Sequence, residues 1–368
     1  MKTYPLHSIP LEQAKQLQFK AIDAVTRHFR GEEVLSLGDL GVVKGLNKPR
    51  CTQKVEQVFA DTFDAPAALL VRGAGTGAIR WALTACMKPG QTILVHTSPI
   101  YPTTQVTMDS MGLKPLRADF NDLDQLRAVC AEHRQEIRGA LVQLTRQKPE
   151  DSYDYKAVIA AIKEALPQVP VITDDNYAAL KVDAIGCQAG ADLSTFSCFK
   201  ILGPEGVGVV IGSRELIDRI YKMQYSGGSQ VQGHEAMEAM RGLIYAPVSL
   251  AIQSEVNEEL VRRLNAGEIP GVKNAFLANA QSKVLLVEFE QEIAEKILEA
   301  APKFGAAPHP VGSESKYEFA PMIYRVSGTF RAQDPTIEHR MIRINPMRSG
   351  PDTILRILRQ CVEQVQEG

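Results

Sequence analysis

Charge of one sign is what the chain most lacks. Its 41 lysines and arginines stand against 43 aspartates and glutamates, with no basic block and no acidic tail. A nucleic-acid partner, which a basic stripe would announce, is therefore not expected. Long apolar runs are missing too. Stretches such as Val284–Val287 fall far short of the ~20 residues that cross a bilayer, so no membrane partner is expected either. The opening segment, MKTYPLHSIPLEQAK, has no apolar stretch of the kind a secretory leader needs. The six cysteines, at 51, 86, 130, 187, 198 and 361, form no CxxC pair, and the seven histidines no HExxH. That pattern reads as reduced thiols in a cytoplasmic protein, with no disulfide framework and no metal site. Internal repeats and low-complexity linkers are absent. A composition with 45% hydrophobic and 23% charged residues excludes disorder, collagen and coiled coil.

What is present is an alternation of short apolar runs and helical periods. The segment 11–30 has apolar residues at helical spacing and stops at Gly31; 53–63 is a second helix. ALLV (68–71), TILV (92–95), GALVQL (139–144), VPVIT (169–173), 193–197 and VGVVI (207–211) read as strands. Helices are expected between them over 78–87, 105–111 and 155–166. This order predicts an α/β fold with a mostly parallel sheet covered on both faces. After about residue 250 the style changes. A long helix (251–264), strands at 283–289, 322–326 and 341–344, and helices at 293–301 and 353–364 predict a smaller α+β domain. The expected organisation is an N-terminal helical segment over 1–45, a large domain over 46–248 and a small one over 249–368.

Three constellations carry chemistry. Arg72-Gly-Ala-Gly-Thr-Gly-Ala78 lies between a strand and a helix. Backbone N–H groups at a helix start make an anion site, and Thr76 can add a hydroxyl; a tight strand–helix turn is the alternative. No Gly-Lys-Ser/Thr ending makes it a nucleotide P-loop, and no acid follows about 20 residues on, as a dinucleotide site requires. Val171-Ile-Thr-Asp174-Asp175-Asn-Tyr177 puts two acids at a strand end, where ion binding, ribose binding and helix capping are all open readings. Ser194-Thr-Phe-Ser197-Cys-Phe-Lys200 places a lysine in an otherwise uncharged stretch, either as a chemically engaged amine or as a snorkelling strand-end side chain. Together the three supply what pyridoxal 5′-phosphate (PLP) needs: donors for its phosphate, an acid for its pyridine nitrogen and an amine for its aldehyde.

With SPIYPTT, TDDNYAAL, ADLSTFSCFK and RGLIYAPVSLA on the page, nearly the whole chain resembles the fold-type I PLP-dependent enzymes of the aspartate aminotransferase superfamily. Within them it is most similar to the cystathionine synthase/lyase-like group and the aluminium-resistance proteins. The resemblance implies a mostly parallel seven-stranded cofactor domain sandwiched by helices, plus the smaller C-terminal domain. It implies that Lys200 is the Schiff-base lysine and moves the α-proton. Asp174 pairs with the pyridinium nitrogen, with Asp175 as the alternative. Gly75, Thr76 and Gly77 bind the phosphate, aided by the Ser197 hydroxyl. Tyr101 stacks on the ring, with His96 as the alternative. Arg343, in MIRINPM, clamps the substrate carboxylate, ahead of Arg325 and Arg348. Arg50 and Tyr225 are candidates to reach across a homodimer.

The reading placed first is an aminotransferase-like enzyme acting on a small amino acid or amine. A β/γ-lyase of the C–S type is the alternative, and a nucleotide-binding or regulatory α/β protein is the reading from a different class.

Overall fold

The computed structural model describes residues 2–146, 148–278, 283–311 and 314–367. It contains two compact units. The larger is Glu12–Thr145 with Tyr153–Pro247; the smaller is Val248–Gly368 with Met1–Leu11 and Arg146–Ser152. The first 45 residues are thus not a unit of their own: their helix groups with the large unit and their first eleven residues with the small one.

The large unit runs α1 (Leu11–His28), α2 (Arg50–Thr62), β1 (Ala67–Arg72), α3 (Ala74–Cys86), β2 (Thr92–His96), α4 (Pro102–Ser110), β3 (Lys114–Ala118) and α5 (Leu123–Glu132). It continues with β4 (Ile137–Gln143), α6 (Tyr155–Ala165), β5 (Val171–Asp174), β6 (Leu193–Ser197), β7 (Val207–Gly212), α7 (Arg214–Met223) and the start of α8 (Gly233–Asn265). The seven strands form one sheet in the order β1-β7-β6-β5-β4-β2-β3. Only β7 runs against its neighbours, pairing antiparallel with both β1 and β6. β1, β5 and β7 are buried along nearly their whole length and read as largely apolar runs, whereas β6, equally buried, reads LSTFS. Leu69, Val71, Ile93, Ile172 and Val210 of the sheet pack with Ala78, Ile79, Ala82 and Leu83 of α3 in one core cluster.

The division between the units falls inside α8, just after Pro247, a residue that cannot donate to the helical ladder. The small unit then adds β8 (Val272–Ala278), β9 (Val284–Phe289), α9 (Ala294–Ala300), β10 (Met322–Arg325), α10 (Gly328–Gln333), α11 (Ile337–Arg340), β11 (Met341–Asn345) and α12 (Pro351–Glu367). Its four strands form an antiparallel sheet in the order β10-β11-β9-β8. Leu285, Val287, Ile342 and Ile344 of that sheet pack with Ile354, Leu358 and Cys361 of α12.

None of the six cysteines is in a disulfide. Burial raises their thiol pKa values, to about 12 at Cys86 and Cys187 and about 11 at Cys130 and Cys361. Among the described residues no helix is long and apolar enough to cross a membrane, and no group of His, Cys, Asp and Glu could hold a metal ion.

Candidate active site

Strands β1, β2, β5 and β6 all point the same way, so the loops after them leave the sheet at one edge. Open α/β sheets collect their binding groups at that carboxyl edge.

After β1 the chain enters α3 four residues earlier than its apolar pattern suggests, so Gly75, Thr76 and Gly77 lie in the first helical turn. The N–H groups of Gly73 and Ala74 bond the Gly206 carbonyl at 2.8 and 3.1 Å, and that of Gly77 bonds the Gly73 carbonyl at 2.7 Å. This corrects the expectation for Gly77: its N–H is already used, and its role is steric, since a Cβ there would stand 2.0 Å from the Arg72 carbonyl oxygen. The first-turn donors that remain for an anion are the N–H groups of Gly75 and Thr76. Gly75 is pressed against the Asn176 carboxamide, which an added Cβ would meet at 2.6 Å. The Thr76 hydroxyl donates to Thr103 Oγ1 of α4 at 3.0 Å.

The two acids after β5 differ sharply. Asp175 is fully buried and engaged on both oxygens. It accepts from Thr173 Oγ1 at 2.6 Å, Gly186 N–H at 2.8 Å and Thr195 N–H at 3.2 Å. Asp174 is 5% exposed and takes both of its hydrogen bonds, from the Asn176 N–H at 3.0 Å and Nδ2 at 2.7 Å, on Oδ1. Its Oδ2 takes none among the described residues. Burial pushes both carboxyls up to about 6, against the pull of those hydrogen bonds. Asp174 is therefore the acid with an acceptor to offer, and Asp175 ties β5 to β6.

Sequence reasoning passed over Asn176. Besides holding Asp174, its Oδ1 accepts the Ser197 N–H at 3.0 Å, and its side chain sets the distance to Gly75. One carboxamide thus joins the starts of all three chemistry-bearing loops. Its only signal in the sequence is its place beside two acids at a strand end.

Ser197 closes β6, and its Oγ accepts the Phe199 N–H at 3.2 Å, starting a single helical turn over Cys198–Ile201 that carries Lys200. The Lys200 ammonium lies over the Tyr177 ring, 4.5 Å from its centroid. Tyr177, also passed over, holds a left-handed φ of 64°, a conformation that β-carbon-bearing residues adopt mainly under outside constraint. Tyr101 precedes α4. Burial raises its phenol pKa and Tyr177 adds to the rise; the Lys200 charge opposes it and Asp174 reinforces it. Tyr101, Tyr177, Lys200 and Asp174 thus share one electrostatic neighbourhood.

His96, the alternative, packs among other aromatic side chains. It stacks on Phe120 at 5.1 Å, meets Tyr153 edge-on at 5.0 Å and accepts the Phe120 N–H on Nδ1 at 3.0 Å. That leaves Tyr101 as the candidate for stacking on a ring.

In the small unit, Arg343 of β11 packs its guanidinium 4.0 Å from the centroid of the Tyr324 ring and lines a cavity of about 630 Å³. Arg325 is exposed at the end of β10. Arg348 is tied to Gln253 Oε1 at 2.9 Å, and burial lowers its guanidinium pKa. Arg50 is exposed at the start of α2, where its N–H bonds Asp39 at 2.7 Å. Tyr225 is 82% exposed, and its carbonyl accepts Asn47 Nδ2 at 2.7 Å.

Comparison with known proteins now places this geometry. The family described as "Cys/Met metabolism PLP-dependent enzyme" matches residues 47–276, the span that holds the whole Gly75–Lys200 constellation. The chain belongs to this family of PLP-dependent enzymes. A second family, described as "YhfS-like, C-terminal domain", matches residues 258–358. The uncharacterized protein YhfS of Escherichia coli K12 is 56% identical over 99% of this chain and 100% of its own length. The crystal structure of E. coli YhfS, described as pyridoxal-5′-phosphate dependent, superposes with a TM-score of 0.96 over 99% of this chain and 100% of that one. More distant folds include a carbon-sulfur lyase involved in aluminium resistance from Clostridium novyi (15% identity, TM-score 0.73, 96% of this chain and 91% of that one). Another is a cystathione gamma lyase, CalE6, from Micromonospora echinospora (18%, TM-score 0.68, 86% and 87%). The fold is that of fold-type I PLP enzymes, and PLP is the cofactor.

The residues present fit that cofactor. Gly75 and Thr76 offer two N–H groups at a helix start to a phosphate. Asp174 offers a buried, open carboxylate oxygen to a protonated pyridine, which would draw its pKa back down. Lys200 offers an amine over the Tyr177 ring, in the electrostatic neighbourhood that Tyr101 shares with Asp174.

Proposed function

We propose that the chain is a PLP-dependent lyase that eliminates a β- or γ-substituent, a sulfur-bearing group foremost, from an amino acid. The observation that carries this is the family match over 47–276, because Cys/Met metabolism is chemistry at such substituents. The names of the distant structural relatives, gamma lyase and carbon-sulfur lyase, lean the same way. The aminotransferase reading, first on motifs alone, moves to second place.

When bound, PLP supplies an electron sink that makes the α-hydrogen of an attached amino acid acidic. The chain's own residues do the rest. Gly75 and Thr76 hold the phosphate through N–H groups, and the Ser197 hydroxyl is placed to add a donor. Asp174 keeps the pyridine nitrogen protonated through Oδ2, while Asn176 fixes the carboxylate's orientation. Lys200 would take the proton from the substrate α-carbon and hold it on its amine. Tyr101, whose raised pKa keeps its phenol protonated, is suited to donate a proton to a departing thiolate or similar group. Elimination needs that second acid, and transamination does not. Arg343 is the proposed partner of the α-carboxylate, its planar fork matching two oxygens.

The proposal includes a homodimer in the cytoplasm. Leu35, Leu37 and Leu40 are 82%, 79% and 73% exposed, and with Tyr225 they leave apolar side chains of the large unit uncovered. Arg50 and Tyr225 would serve the neighbouring copy.

The deciding experiment gives purified holoenzyme one amino acid and no keto-acid acceptor. A lyase releases keto acid and ammonia over many turnovers. A single turnover that leaves the cofactor as the pyridoxamine form would reverse the order of the two readings.

A further inference from the structure

The cavity lined by Arg343 lies wholly in the C-terminal unit, along β10, the edge strand of its sheet. Its charge is lopsided. Arg325, Arg331 and Arg343 all line it, and among the described residues the one acid in its wall is Glu299, exposed at the surface.

The donors around it are also short of acceptors. Arg331 spends one terminal nitrogen on Glu338 at 3.3 Å, while its Nε is buried with no hydrogen-bond partner among the described residues. Among the same residues the buried Ser327 hydroxyl finds no partner either. Arg325 enters no ion pair among the described residues. Buried donors left unpaired cost stability unless something supplies acceptors. An apolar occupant would leave these groups unmet, and a cation would be repelled. One carboxylate needs a single guanidinium fork, and this wall has three.

We infer that the cavity is a binding site for a small dianion, either a dicarboxylate or a phosphate ester, held by Arg325, Arg331 and the Ser327 hydroxyl. The dianion has two sources of the same chemistry. It is the second charged group of the substrate, or a separate effector. The inference stands on the C-terminal unit alone and does not depend on whether the enzyme eliminates or transaminates.

The test uses holoenzyme, in which the cofactor's phosphate already fills the other anion site. Calorimetric titration with succinate, glutarate and inorganic phosphate, at ionic strength held constant with sodium chloride, should show saturable binding. Arg325→Gln sits at an exposed position and should leave the fold intact; it should weaken binding by roughly ten- to a hundredfold. Ser327→Ala removes no charge and should give a smaller loss in the same direction. A rise in KM for amino acids bearing a distal carboxylate or phosphate, larger in Arg325→Gln than any rise for uncharged amino acids, identifies the substrate as the source. A rate response to added succinate that Arg325→Gln abolishes identifies an effector. Heats no larger than those of sodium chloride, or affinities unmoved in both variants, would overturn the inference.

Discussion

The two anion-facing regions of this protein hold their polar groups in opposite ways. In the large unit nearly every buried donor and acceptor around Asp174 and Asp175 is matched, and one carboxylate oxygen is left over. In the C-terminal cavity donors outnumber acceptors, and three guanidiniums share a space with one exposed acid. The first arrangement fits one cofactor in one pose, because each partner fixes the next: Asn176 holds Asp174, Ser197 and the approach of Gly75 at once. The second selects for charge more than for shape. Preorganisation and charge surplus are different routes to binding an anion, and they fail differently when disturbed.

That contrast can be broken most severely at the amine. Lys200→Ala should lower kcat by at least ~10³-fold and remove the visible absorbance band of the lysine-bound cofactor. Its melting temperature should stay close to wild type, because Lys200 is only half-buried. Retention of the band would show that another amine holds the cofactor.

The next break separates the adjacent acids. Asp175→Ala leaves the buried N–H groups of Gly186 and Thr195 unanswered, and should destabilise the fold by roughly 3 kcal/mol in denaturant titration. Asp174→Asn should fold well and lose activity instead. It should also change the pH response of the apoprotein. A carboxyl whose folded pKa is raised to about 6 contributes stability that is fully present below its unfolded value, near 4, and is lost as pH rises to about 6. Relative to wild type, Asp174→Asn should therefore gain stability across that window, by no more than about 3 kcal/mol. A difference that does not change with pH would mean Asp174 is not buried as described.

The smallest effect sharpens the contrast. Gly75→Ala pushes a methyl into the Asn176 carboxamide and should weaken PLP binding by about tenfold, with little change in apoprotein stability. Equal affinity in fluorescence titration would mean that the carboxamide yields easily.

Much of this was legible in the sequence, for physical reasons that vary along the chain. Strands buried on both faces, such as Val171–Asp174 and Val207–Gly212, announce themselves as apolar runs. Lys114–Ala118 does not: of the two edge strands of the large sheet it is the mostly exposed one, and it reads KPLRA, whereas Ala67–Arg72 at the other edge is buried. Helix α8 was seen only in its second half, because Pro247 and Gly242 interrupt its pattern over a span of 33 residues. The trio of glycine turn, acid and lysine pointed to PLP because the chemistry needs all three. The choice between Asp174 and Asp175 could not be made from strand alternation. It depends on Gly186 and Thr195, which the fold brings to Asp175 from 11 and 20 residues away. The fate of the Gly77 N–H turned on the helix starting four residues early.

The six unpaired cysteines have a practical use. Burial keeps these thiols protonated at neutral pH, and the protonated form reacts slowly with alkylating probes. A single cysteine introduced at exposed Glu132, at the end of α5, would stand out as the fast-reacting site, so a fluorophore or spin label could be placed there without first stripping the native sulfurs. Distances measured between two such labels would report directly on how copies of the chain meet.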